Sequence, residues 1–247
     1  MAKIEKKQSA PEIQDSLNKN EAFVVKHKKA IMAGVSLLIA LIGAGLIYQC
    51  KQRERHEKAS TEMAPAQYKM GETQQNEMYL SDSLYQVAQQ QMLNGNSAEG
   101  LKGFLKIIDE YGSTKAGNLA RLYAGICYMN LNNAKEAVKY LEDFDTEDDQ
   151  MVSPAAMMAL GNAYASLNQL DKAVEMLKKG AEKANNMTVS PQAYIQAAEI
   201  LESQKKNADA LELYKKAKTY IDRMDDQAKN ALNRLNIDAY IERASQR

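Results

Sequence analysis

The chain has 247 residues, enough for one soluble domain plus an extra segment. Hydrophobic residues make up 45% and Gly and Pro are few, which points to an all-helical class. The zero net charge is unevenly spread: residues 1–29 carry seven Lys against four acids, residues 51–69 carry five basic side chains against three acids, and residues 70–247 are left at −5. An acidic domain repels a phosphate backbone, so nucleic-acid binding is not expected.

Residues 1–22 are polar and contain Pro11. They bury too little apolar surface to offset chain entropy, so residues 1–29 read as a flexible cytoplasmic tail. Residues 30–48, AIMAGVSLLIALIGAGLIY, carry no charge. At 1.5 Å per residue they reach about 28 Å, close to the ~30 Å hydrocarbon core of a bilayer. Basic clusters bracket both ends and no polar face interrupts the run, which argues for a transmembrane helix over a buried core helix. The run exceeds a signal-peptide core, and no A-x-A cleavage site follows. Cys50 could suggest a lipid acceptor at LIYQC. Gln49 is larger than the residue that usually precedes one, which favours a plain juxtamembrane cysteine.

The basic residues beside the span tie: Lys19, Lys26, Lys28 and Lys29 stand before it, and Lys51, Arg53, Arg55 and Lys58 after it. Lys3, Lys6 and Lys7 favour a cytoplasmic N-terminus, as does the size of the domain that follows. Residues 49–77 are charged and read as a juxtamembrane stalk that bends near Pro65.

Helical spacing returns at Met78, and a pattern then repeats. Its clearest copy has Ala124-Gly125, Tyr128, Ala137, Leu141 and Phe144. Leu160-Gly161, Tyr164, Ala173 and Leu177 follow 36 residues later, and Ala198, Leu201, Ala210 and Tyr214 a further 37. Ala88, Gly100 and Phe104 form a weaker copy before them. Small residues let two antiparallel helices approach, and the bulky positions fill the space between them. Ser113-Thr114, Ser153-Pro154 and Ser190-Pro191 are expected to open the first helices, and Ser97 to cap a helix over residues 100–111. Asn132-Asn133, Asn168 and Lys206-Asn207 fall in the turns within each pair. A last helix is expected over residues 225–244, with Ala228, Leu232, Leu235 and Ala239 on its apolar face.

Residues 78–224 resemble four repeats of the tetratricopeptide family, on the strength of Gly125, Tyr128, Ala137, Gly161, Tyr164 and Ala173. The family's Pro at the end of the second helix is absent here, and the spacing exceeds the usual ~34. The expected fold is an all-α tetratricopeptide-like helical solenoid behind a transmembrane helix, closed by a capping helix over residues 225–247.

The two histidines, His27 and His56, flank the apolar run, which leaves the repeats without Ser-His or Cys-His nucleophilic pairs. No Walker loop, G-x-S-x-G or dinucleotide turn is present. Cys50 and Cys127 lack CxxC spacing, and Cys127 reads as a small core residue. The acidic run EDFDTEDD, residues 142–149, could bind Ca2+ weakly, but it lacks the EF-hand glycine and reads first as a solvated loop. Neither catalysis, a cofactor, a metal nor a small-molecule substrate is expected.

Repeat arrays bind partners on a concave face lined by the first helices. Registering the copies places Tyr85 and Gln89, Met129, Met158 and Asn162, and Ile195 and Glu199 there as candidate protein-binding residues. Leu122 and Ile126 fall beside them but read as packing residues.

The layout of tail, span and degenerate repeats is similar to that of a bacterial group of membrane-anchored proteins, which includes the ancillary subunit of the Sec translocon. That resemblance implies protein partners such as the Sec translocon, chaperones or client polypeptides. It also implies a single-pass bacterial inner-membrane location with periplasmic repeats. A cytosol-facing adaptor is the alternative reading.

Overall fold

The computed structural model describes the backbone of residues 10–224 and 236–246, with side chains from Val25 onward. Two compact units divide between Glu54 and Arg55. Among the described residues the chain is helical throughout, and its one β pairing is an isolated bridge between Asn96 and Leu101.

The described residues of the first unit, 10–54, lie within α1 (Ala10–Gln75). Its backbone is helical from Ala10, so part of the segment expected as a tail is helix. The apolar stretch is unburied, and Leu37, Leu38, Ile39, Leu41, Ile42, Leu46 and Ile47 are all exposed. The helix is long and apolar enough to cross a membrane. Ser36 satisfies its hydroxyl internally, donating to the Met32 carbonyl at 2.9 Å, as a hydrocarbon surrounding requires.

The second unit begins with residues 55–75 of α1, and here the expected stalk differs from the structure. Ala59, Met63, Ala66, Met70 and Thr73 recur at four- and three-residue intervals and are all buried. The first four pack with Met92, Leu93, Phe104, Ile107, Ala120 and Ala124 in one cluster. Lys102 pairs with both Glu62 and Glu110, and the Arg55 guanidinium donates to the Glu110 carbonyl at 2.8 Å. The Lys102 ammonium holds the Glu62 carboxyl below its ordinary value. Pro65 does not end the helix, because Pro65 and Thr61 both sit on its exposed side. The Thr61 carbonyl, deprived of its amide partner, faces water.

Among the described residues up to 224, eight α-helices follow in this unit: α2 (Asp82–Asn94), α3 (Phe104–Tyr111), α4 (Lys115–Asn130), α5 (Ala134–Glu142), α6 (Val152–Ser166), α7 (Leu170–Ala184), α8 (Ser190–Ser203) and α9 (Asn207–Ile221). After residues 225–235 comes α10 (Ile237–Ser245). The pairs α4–α5, α6–α7 and α8–α9 are tight hairpins. Each turns through a left-handed residue: Asn132 and Asn168 at φ 57°, and Lys205 at φ 63°. Asn accepts this conformation more easily than Lys does, so the third turn is the strained one.

Two expected helix starts are shifted. Thr114 caps α4 as expected, accepting from the Gly117 amide at 3.0 Å. Ser153 and Ser190, in contrast, are buried inside their helices. Asp149 and Asn186, four residues earlier in each case, accept the free amides instead. The serine hydroxyls bond back to the preceding chain, Ser153 with Glu147 and Ser190 with the Ala181 carbonyl. The second helix of the first pair starts at Phe104, not Gly100, and Asn96 rather than Ser97 supplies the cap of the short 3-10 turn before it.

Three clusters run along the unit. One joins residues of α1–α4, the next α4–α6, and the last α6–α10. α10 closes the series through buried Ile237 and Ala244 and through Arg243, which pairs with Glu202 and lies 4.7 Å from the Tyr240 ring centre. Ala239, expected on its apolar face, is exposed, while Ala228, Leu232 and Leu235 lie outside the described residues.

A packed 55–75 segment has a measurable consequence. Met63→Ala in a fragment starting at Arg55 is expected to cost about 2–5 kcal/mol of unfolding free energy in a denaturant titration. A solvated stalk would give a change within about 0.5 kcal/mol.

Candidate protein-binding face

The first helix of each hairpin presents one side to its own second helix and another to its neighbours. Gly125 and Gly161 face the second helix. A Cβ at Gly161 would stand 2.8 Å from Leu177 Cγ, and one at Gly125 would clash likewise with Leu141. Ala137 and Ala173 on the second helices are fully buried. Tyr128 stacks on Tyr140 with ring centres 5.4 Å apart and planes 12° apart. The register of these contacts, repeated in the two hairpins, leaves the other sides of α4 and α6 available for other roles.

The seven candidates are not equivalent. Tyr85 is half-buried on α2, and burial raises its phenol above the ordinary value. Gln89, one turn on, is 1% exposed, and its Oε1 has no hydrogen-bond partner among the described residues. Met129 is half-buried and packs against the middle cluster. Met158 packs against the last cluster, with its Cγ 3.4 Å from where a Gly180 Cβ would stand. Asn162 is half-buried. Ile195 is buried in the last cluster. Glu199 is exposed and contributes to holding the Tyr240 phenol above its ordinary value, after burial. Thus Gln89 and Ile195 are core, whereas Tyr85, Met129, Asn162 and Glu199 keep accessible surface. Leu122 is buried and Ile126 packs against two clusters, as packing residues do.

Apolar surface that periodicity did not single out lies elsewhere. Leu84 and Val87 on α2 are exposed, and Val87 lines a shallow groove with Leu131. A cleft of about 190 Å3 opens between the starts of α4 and α6, lined by Leu119, Phe144 and Val152. Phe144 entered the sequence pattern as a packing residue, and its partial opening to this cleft depends on the loop conformation after α5.

Cys127 is fully buried, and burial pushes its thiol up to about 12, so it is neutral at physiological pH. Among the described residues no group of three or more His, Cys, Asp or Glu could hold a metal. In the acidic loop, burial pushes the Asp149 carboxyl up, but the Ser153 hydroxyl and the backbone amides of residues 151–153 bring it below its ordinary value. That carboxylate is committed to the start of α6.

Residues 119–147 and residues 154–182 each match a tetratricopeptide repeat model. These two segments coincide with the α4–α5 and α6–α7 hairpins. A solved structure of kinesin light chain TPR-like repeats from Podosopora anserina superposes with a TM-score of 0.50 at 15% identity, covering 79% of this chain and 86% of that one. At that identity the likeness concerns the fold. Comparison with curated protein sequences gives no match. The repeats imply a protein–protein interaction scaffold.

Alkaline stability follows from the buried tyrosines and the cysteine. Burial first, with carboxylate or phenol neighbours adding for each tyrosine, pushes Tyr128, Tyr164 and Tyr194 up to about 12, and burial alone does the same for Cys127. In the unfolded chain these groups lose protons from about pH 9 to 10, while the folded chain retains them. Stability is therefore complete below about pH 9 and falls progressively toward pH 12. Urea titrations of the 55–247 fragment at stepped pH should show the midpoint falling from about pH 9 upward. A constant midpoint to pH 11 would contradict the burial of these groups.

Proposed function

We propose that this chain is a membrane-anchored protein–protein interaction scaffold whose repeats face the periplasm of a bacterium. The observation that carries the reading is the joining, in one chain, of tetratricopeptide hairpins with an apolar helix that has no buried residue in its apolar window. A repeat array binds by side-chain burial on its helix faces, and a span confines it to one membrane surface. The accessible candidates Tyr85, Met129, Asn162 and Glu199 form the proposed partner-facing set, with Met158 at its edge. Gln89 and Ile195 support that face from beneath.

The periplasmic orientation rests on the distal lysines of the N-terminal segment and on the size of the C-terminal unit, since long domains translocate largely regardless of charge. The similarity in layout to the Sec-associated group supports a role in protein translocation or envelope protein assembly, with translocon, chaperone or client polypeptides as partners.

Protease added to cells with a permeabilised outer membrane and a closed inner membrane is expected to digest the chain beyond residue 54. Full protection would place the repeats in the cytosol and favour the adaptor reading. In the same cells, a photo-crosslinking residue at Asn162 should capture a defined protein set. Loss of that set in Tyr85→Ala and Met129→Ala variants of unchanged melting temperature would support the face, and an unaltered set would exclude it.

A further inference from the structure

The acidic run after α5 is left without a role by the face of the first helices. Six of its eight residues, 142–149, are acids. Three are engaged: Glu142 accepts from the Tyr164 phenol, Glu147 pairs with Lys115 at 3.6 Å, and Asp149 caps α6. Asp143, Asp145 and Asp148 are exposed, and their carboxylates take no partner among the described residues.

The loop holding them is fixed. The Asn118 side chain clamps Asp145, donating to its carbonyl at 2.7 Å and accepting from its amide at 2.8 Å. The Glu147 amide donates to Ser153 Oγ at 2.8 Å. This frame borders the cleft between α4 and α6. Phe144, 9% exposed, and half-buried Leu119 form an apolar floor, and Val152, 40% exposed, forms a wall. Lys115, the cation on the lining, is already met by Glu147. The site thus offers an apolar recess bounded by a hydrogen-bonded loop, and the same loop carries Asp143, Asp145 and Asp148 beside the lining.

We propose that this cleft docks a basic segment of a partner protein. The segment inserts one apolar side chain over Phe144 and sets its Lys or Arg side chains against Asp143, Asp145 and Asp148. Charge decides the class of occupant. Anionic lipid headgroups, nucleic-acid phosphates and acidic peptides are all repelled by the loop, whereas a cationic segment is steered toward it. The apolar recess then selects among cationic segments, since only one with a buried side chain gains the hydrophobic contribution. The fixed loop limits the ordering cost of binding. The cleft lies at the starts of α4 and α6 and shares no lining residue with the partner-facing set Tyr85, Met129, Asn162 and Glu199, so its test is distinct from theirs.

The test uses the full chain in neutral phosphatidylcholine nanodiscs. A labelled peptide Gly-Lys-Lys-Phe-Lys-Lys-Gly and its counterpart with Ser in place of Phe would be titrated at about 150 mM salt, where screening suppresses diffuse attraction. The Phe peptide is expected to bind at least about tenfold more tightly. Val152→Ser should shrink that preference, and Asp145→Lys with Asp148→Lys should abolish binding of both peptides. Equal binding of the two peptides to the unaltered chain would overturn the proposal without reliance on any variant. So would retention of binding in the doubly substituted chain with an unchanged circular dichroism spectrum. Self-association that is lost in that variant, with no peptide binding, would place a second copy in the cleft and equally overturn it.

Discussion

The close approach of the two helices in a hairpin is the constraint from which the rest of the second unit follows. At Gly125 against Leu141 and at Gly161 against Leu177 there is no room for a Cβ, so the leucine side chain fills the site that a larger residue would occupy. Buried Ala137 and Ala173 keep the backbones near on the opposite helix. With the hairpins drawn in, their turns must be short, and each passes through a left-handed residue. The α8–α9 hairpin solves the same problem differently. Ala198 replaces the glycine, and fully buried Tyr214 fills the wider gap, its hydroxyl bonded to Glu202 at 2.7 Å.

Successive hairpins are joined by apolar clusters and by a few polar links. Tyr164 reaches Glu142 of the preceding hairpin, Asn186 donates to the Gln150 carbonyl at 2.9 Å, and Tyr220 donates to Asn185 at 3.0 Å. Lys206 bonds Asp171 at 3.0 Å and lowers that carboxyl's affinity for protons. Links of this kind bind neighbour to neighbour, as in a one-dimensional array. An array needs closed ends. Ala59, Met63, Ala66 and Met70 bury the first cluster at one end, and α10 covers the last at the other.

The hairpins were legible in the sequence because their contacts are local and repeated. Glycine, aromatic and alanine recur at one spacing, and the structure uses them in that register. The packed 55–75 segment was less legible because its buried stripe is built of Ala and Met among many charges, and Pro65 looks like an interruption. Its partners, such as Phe104 and Ile107, lie about 40 residues away. The caps at Asp149 and Asn186 were obscured by Ser-Pro pairs four residues later that satisfy the usual pattern. On the candidate face, register gave no measure of the depth of each side chain. Ile195 and Gln89 are buried because neighbouring helices cover them, and that depends on contacts distant in sequence. The cleft over Phe144 was not legible at all, since it needs the loop clamped by Asn118.

A double-mutant cycle between Gly125 and Leu141 tests the central constraint most directly. Gly125→Ala alone should destabilise the 55–247 fragment by about 1–3 kcal/mol through overpacking. In a Leu141→Ala background the added methyl has space, so the same change should cost much less, with a coupling energy of about 1 kcal/mol or more. Additive effects within about 0.5 kcal/mol would contradict the account, since they would show that the two residues do not set the helix separation.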